Sequence, residues 1–417
     1  MARNPLQGMI SPSHQENRAR LKIEKSLPIL IAYLIFIAIG LATGLLNIAW
    51  TFIQPTFAVS LDSLGTLLSA AMLGGLIAAF LCGSMINKFT IASVLLGGLI
   101  IAGLGMLGYA IAPIWIALLL AAFIASIGKG TIDASMNIFV ASNYGASQMN
   151  WLHACWGIGL TFAPALVTFL VLDLEAGWQL GYVIMGGVIL LLGLSILITL
   201  PLWKLKKAKR SRSKEVDSKA PLRETLQRPI VWISLLYFFL YGGIEIGTGQ
   251  LANTLFVEAR GIPQETSSAW VSAYWGSFTI GRMLMGLLAL RLGDRTLLNI
   301  SFALTVVGAL LLFANVAEFS SFVGLLALGF GLAAQFPILI LQTPSRVGAE
   351  HASNAIGFQV GCAGLGGATL SGVAGVFAEN FAIELISVFI FLGALLSLVI
   401  YQLMIWWEKR NASTSSA

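Results

Sequence analysis

The chain has 417 residues, of which 58 % are hydrophobic and 10 % are charged. Soluble domains carry about 25 % charged residues, which excludes a water-soluble globular protein. The net charge of +6 would suit a nucleic-acid partner, but the basic residues are placed as in a membrane protein, which excludes that partner as well.

Residues 1–26 are polar and charged, so no secretory signal peptide is expected there and the stretch reads as a tail. Twelve apolar segments follow, at 27–50, 61–86, 90–112, 114–142, 147–172, 178–202, 229–256, 268–290, 296–316, 320–345, 352–377 and 381–407. Each is long enough to cross the hydrocarbon layer as a helix, at roughly 20 residues and 1.5 Å per residue. Their continuity argues against the ten-residue alternating strands of a barrel. Residues 203–228, WKLKKAKRSRSKEVDSKAPLRETLQR, carry ten Lys or Arg and separate the sixth segment from the seventh. The predicted organisation is a tail (1–26), a six-helix bundle (27–202), a basic linker (203–228), a second six-helix bundle (229–407) and a tail (408–417).

With the N-terminus inside and strict alternation, 21 of the 24 Lys and Arg fall on the cytoplasmic side and only Arg260 falls outside. The positive-inside rule then places both termini and the linker in the cytoplasm. The predicted fold class is an all-α membrane protein of the cytoplasmic (inner) membrane, multi-pass, with twelve transmembrane helices in two bundles. Trp50, Trp115, Trp178, Trp203, Trp232, Trp406 and Trp407 lie near segment ends, where indole rings favour the headgroup region. Trp156 and Trp275 lie deeper, as core packing or as stacking surfaces for a solute.

Cys82, Cys155 and Cys362 form no CxxC pair and no metal-ligand spacing. No metal, no cofactor and no enzyme activity are expected. GKGT at 128–131 resembles the end of a phosphate-binding loop, but Phe123 stands where that loop requires glycine.

The halves echo each other. Gly128-Lys129-Gly130 in the fourth segment matches Gly329-Phe330-Gly331 in the tenth, and glycine-spaced segments follow both. Small residues at that spacing let helices approach closely. Two six-helix halves joined by a cytoplasmic loop is a parallel-repeat transporter layout, with the solute site near the midplane between the halves.

Five ionisable residues remain inside apolar segments: Lys129, Asp133, His153, Glu245 and Arg282. A Lys, Arg or Asp at a helix centre costs about 2.5–3.5 kcal/mol, so these must face the protein interior or a water-filled cavity. Lys129, Asp133 and Asn137 lie four apart and form one polar stripe. Lys129 and Asp133 suit an i,i+4 ion pair, either as packing or as part of a solute site. Glu245, in LYGGIEIGTGQLAN, has no cation within a helical turn on either side, and a lone carboxyl there suits proton carriage or solute binding. His153 suits proton coupling or an interhelical bond. Arg282 reads as a helix-end anchor that snorkels to the interface.

Four stretches carry a family resemblance: GLLNIAWTFIQPTFAVSLDSLGTLLSA; GKGTIDASMNIF with MNWLHACWGIGLTFAP; FFLYGGIEIGTGQLANTL with SAYWGSFTIGRMLMG; and FPILILQTPSRVGAEHASNAIGFQVG. Over residues 27–407 the chain resembles a major facilitator superfamily transporter, and more narrowly the bacterial fucose-permease-like subgroup. The resemblance implies alternating access and proton-coupled symport of a sugar or related small polar solute, by a protein taken as a monomer. It points to Asp133, Asn137 and His153 in the first half, to Glu245, Gln335 and Gln359 in the second, and to Asn47 on the first segment.

The chain departs from the superfamily pattern at several places. In the loop signature after the second segment, Asn87 replaces an acid before Lys88, and in the second half Leu290 precedes Arg291 where an acid is expected. A weaker cytoplasmic gate follows. Ala163-Pro164 followed by Ala165 and Leu166 lacks the antiporter pattern and argues against drug efflux. Lys129 stands where a small or apolar residue is expected, so it either binds an anionic solute or offsets Asp133. The alternatives to symport are a proton-driven exporter of a drug, siderophore or metabolite and a non-transporting membrane sensor.

Overall fold

In hydrocarbon every backbone N–H and C=O must be satisfied within the chain, which forces long apolar runs into helices. The computed structural model describes residues 12–60, 63–170, 174, 176–204 and 220–414, and among them there is no strand. The first half contains α1 (Pro12–Thr56), α2 (Ser63–Lys88), α3 (Ile91–Ile111), α4 (Trp115–Asn143), α5 (Ala146–Thr168) and α6 (Trp178–Ile198). A short α7 (Leu222–Leu226) precedes the second half: α8 (Pro229–Thr254), α9 (Gln264–Leu288), α10 (Asp294–Ala314), α11 (Glu318–Leu332), α12 (Gln335–Val347), α13 (Ala349–Asn380) and α14 (Leu385–Thr414). Ten described helical stretches are long and apolar enough to cross a membrane.

Local chemistry sets the helix ends. Thr90 caps α3 by accepting the Ser93 amide at 3.2 Å. Helix α1 begins at Pro12, well inside the stretch expected as a tail, because a helix needs no apolar side chains once it is nucleated. The tenth predicted segment is two helices, broken at Ala333-Ala334. Pro337 lies one turn past the break and has no N–H to return to the Ala333 carbonyl. Gln335 holds the break together: its Nε2 donates to Thr305 Oγ1 at 2.7 Å and to the Gly331 carbonyl at 3.2 Å. Trp203, expected among the headgroups, is instead buried against Phe139 with ring centroids 4.7 Å apart.

The packing repeats from half to half. α1 packs on α5 and α8 on α13; α3 packs on α4 and α6, and α10 on α11 and α14. The halves meet along α2–α13 and α5–α9, with α12 against α4 and α5. Close approach depends on glycine where backbones nearly touch: a Cβ on Gly242 of α8 would collide with the Ala363 carbonyl of α13, and one on Gly366 with that of Phe239. Most of the basic linker, residues 205–219, lies outside the described residues. Its far end is docked, because the Ala220 amide donates to the Glu350 carbonyl at 3.2 Å, which places α7 against the start of α13.

Candidate functional site

The five ionisable residues singled out in the sequence line a single cavity of about 270 Å³ between the halves. α4 supplies Lys129 and Asp133, α5 supplies His153 and Trp156, α8 supplies Glu245 and α9 supplies Arg282; Phe36, Phe336 and Val360 form apolar parts of the wall. Lys129 and Asp133 sit near the middle of α4, His153 lies about two turns into α5, and Glu245 and Arg282 lie in the second halves of α8 and α9, so the cavity forms where helices from the two halves face one another.

The stripe on α4 works as a hydrogen-bond chain. Asn137, fully buried, donates from Nδ2 to Asp133 Oδ1 at 2.9 Å and to the Asp133 carbonyl at 2.9 Å. Its Oδ1 then faces His153 Nε2 at 3.1 Å. Since the Asn137 amide is committed to Asp133, His153 Nε2 must carry the proton in this contact. The imidazole is held edge-on by Phe36 at 5.6 Å and Phe336 at 5.0 Å, one ring from each half. The i,i+4 ion pair is not closed: among the described residues no carboxylate oxygen lies within 4.0 Å of the Lys129 ammonium, and Asp133 accepts from Asn137. A Lys preceding the acid is the weaker helical order, and the amide is a nearer partner.

Two further expectations are corrected. Arg282 does not snorkel to an interface; it is 4 % exposed and lies on the cavity wall. Its Nη2 is 3.9 Å from Glu245 Oε1, its Nη1 donates to the His153 carbonyl at 3.4 Å, and its guanidinium sits 4.0 Å over the Phe278 ring. Glu245 therefore has a cation, supplied by α9 across 37 residues of sequence. The spacing along α8 could not show this, because the partner is on another helix.

Gln335 and Gln359 are not on the cavity wall. Tyr237 donates to Gln335 Oε1 at 2.7 Å, completing the bonding at the α11–α12 break. Gln359 accepts from Thr343 at 2.9 Å and donates to Ser234 at 3.1 Å, fully buried. Both amides are used up inside the second half, because a buried amide must find its partners locally. Asn47 falls on α1, but its side chain lies outside the described residues. Trp156 lines the cavity, whereas Trp275 packs against Tyr274 and Phe278.

The two halves are joined on the linker side of this cavity. Asn354 of α13 accepts at Oδ1 from Asn87 Nδ2 at 3.2 Å and Ser84 Oγ at 3.5 Å, both on α2. Its Nδ2 donates to the Ala220 carbonyl and to Thr225 Oγ1, both at 3.1 Å. A Cβ on Gly83 would collide with the Ser353 carbonyl, so the helices touch directly there. Sequence reasoning named Asn87 for lacking a charge and missed its partner. Lys88 and Arg291 are exposed and take no part in this joint.

Comparison with known proteins agrees with this layout. Residues 32–368 and 251–417 match the family model described as Major Facilitator Superfamily. The glucose/mannose transporter GlcP of Bacillus subtilis is 23 % identical over 354 residues, covering 82 % of this chain and 86 % of GlcP. FucP, the E. coli fucose:proton symporter, in its outward conformation superposes with a TM-score of 0.72 at 19 % identity, covering 90 % of this chain and 99 % of FucP. The human organic anion transporter MFSD10 gives 0.68 at 16 % identity, covering 90 % and 98 %.

Proposed function

Because the chain belongs to the Major Facilitator Superfamily, we propose that this transporter moves a sugar or related small polar solute by proton-coupled symport. The two halves rock about the central cavity and expose it to each side of the membrane in turn. The observation that carries the reading is the meeting of Asp133, His153, Glu245 and Arg282 from both halves in one cavity. Such groups are costly in a membrane unless they serve a pathway or a relay. Asp133 and Glu245 are the carboxyls that bind solute or proton, and the Asn137 bridge links Asp133 to His153.

In this reading the chain crosses the membrane twelve times with both termini and the linker in the cytoplasm, as the Lys and Arg distribution indicates. The joint around Asn354 is then the cytoplasmic gate in its closed state. Sugars are supported by the names of GlcP and FucP, while the organic anion transporter of the same fold leaves charge open as a variable.

The test is a reconstituted system. Purified protein in proteoliposomes under an inward proton gradient is screened against radiolabelled sugars, organic acids and amino acids. Gradient-driven accumulation that is lost in Asp133→Asn and in Glu245→Gln is the expected result. Accumulation that survives both substitutions overturns the coupling assignment.

A further inference from the structure

Resting on that transport reading, we infer that the solute is itself an anion, a small polyhydroxylated carboxylate whose charged group is taken by Lys129. The charges lining the cavity are Lys129 and Arg282 against Asp133 and Glu245, with His153 donating to Asn137. Three of the four charges have protein partners. Arg282 faces Glu245 and the Phe278 ring, and Asp133 accepts from Asn137. Lys129 is different: among the described residues its ammonium has no acceptor within hydrogen-bond reach and no carboxylate oxygen within 4.0 Å. An ammonium carries three donors and no acceptor, and one on a cavity wall with no protein acceptor in reach is free to receive a ligand oxygen.

Position supports the same role. Lys129 lies in the wall shared by the central cavity and a second cavity of about 140 Å³ inside the first half. Thr43, Ser126, Tyr109 and Tyr182 line that second cavity. The Tyr182 hydroxyl is buried and has no hydrogen-bond partner. A carboxylate on Lys129 would leave the rest of the same solute against this recess, whose wall is mostly apolar and offers it the unpaired Tyr182 hydroxyl.

Charge balance ties the anion to the proton. With Lys129, Arg282, Asp133 and Glu245 all ionised, the empty cavity is neutral, two cations against two carboxylates. A neutral solute arriving with a proton on Asp133 leaves one net positive charge in low dielectric, and an anion arriving alone leaves one net negative charge. An anion arriving with one proton leaves none, and uncompensated buried charge is what such a site avoids. The movement is therefore electroneutral.

The experiment uses the full chain in proteoliposomes with three matched pairs: glucose and glucuronate, galactose and galacturonate, glycerol and glycerate. An acid is expected to be taken up in preference to its neutral partner, at a rate unchanged by an inside-negative potassium diffusion potential. Lys129→Gln should lower acid uptake by about 10- to 100-fold, the worth of one charge-assisted hydrogen bond, and Lys129→Arg should restore part of it. Equal or greater uptake of the neutral partners overturns the inference and leaves the transport reading standing, as does uptake accelerated by the potential. A preference unchanged in Lys129→Gln also overturns the assignment to Lys129. If no member of any pair moves, this inference falls, and the transport reading is decided by the wider screen of sugars, organic acids and amino acids.

Discussion

Arg282 reaches across the molecule to His153: a guanidinium from the second half donates to a backbone carbonyl of the first at 3.4 Å, while its other nitrogen stands 3.9 Å from Glu245. One side chain thus joins the halves and neutralises the carboxyl beside the cavity. Replacing it by methionine keeps the volume and strands Glu245. Removing one partner of a buried pair costs about 3–5 kcal/mol, so Arg282→Met is expected to lower the melting temperature in detergent and to reduce uptake at least tenfold. Unchanged uptake would assign Arg282 to packing alone.

The amide between Asp133 and His153 predicts a separable effect. Asn137→Leu removes the bridge while keeping the branched shape, and it leaves Asp133 and His153 without their shared partner. Gradient-driven accumulation should fall, while exchange of labelled for unlabelled solute without a gradient should fall less. Equal loss of both modes would argue that Asn137 positions the solute rather than the proton.

At the linker-side joint, chemistry opposes what the loop signature suggests. Restoring the acid by Asn87→Asp would set a carboxylate against the Oδ1 of Asn354, whose amide is held by the Ala220 carbonyl and Thr225. An acceptor facing an acceptor loses the bond and adds repulsion, about 1–3 kcal/mol. The substitution should open this side, read as faster thiol labelling of a cysteine introduced on the linker-side wall of the cavity. Slower labelling would mean that the amide turns over to meet the acid.

Helix contact makes a stability prediction. Gly242→Ala drives a methyl group into the Ala363 carbonyl at the α8–α13 contact. Overpacking typically costs 1–3 kcal/mol, and here the obstacle is backbone, which cannot swing aside. Thermal unfolding of the variant should fall by several degrees, whereas Gly372→Ala, which meets open space, should be silent.

At the end of the bundle away from the linker, Arg260 holds Glu384 with Nε···Oε1 at 2.9 Å and Nη2···Oε2 at 3.0 Å. These bonds hold the Glu384 carboxyl below its usual range, with burial working the other way. A group with a lowered folded-state pKa adds stability above its unfolded pKa and loses it as pH falls through the folded value. The stability gap between the native chain and Glu384→Gln should therefore be constant near neutrality and close in acid. A gap that widens in acid would refute the pairing as its cause.

The sequence by itself determined the class of molecule and the identities of the costly residues. Apolar length forces helices, and any ionisable group inside such a helix must face protein or water, so Asp133, Glu245, Lys129, His153 and Arg282 stand out from the sequence. Partners were a different matter. Arg282 meets Glu245, Asn87 meets Asn354, and Gln335 and Gln359 spend their amides on Tyr237, Thr305, Thr343 and Ser234 rather than on the cavity. The break between α11 and α12 likewise depends on a glutamine bonded to a helix thirty residues away. Periodicity reports which residues share a helix face, but it holds no information about which other helix that face will meet. That is settled only when glycine-lined contacts fix how closely the helices pack, and it is there that the Lys129 ammonium, among the described residues, is left with no hydrogen-bond acceptor in reach.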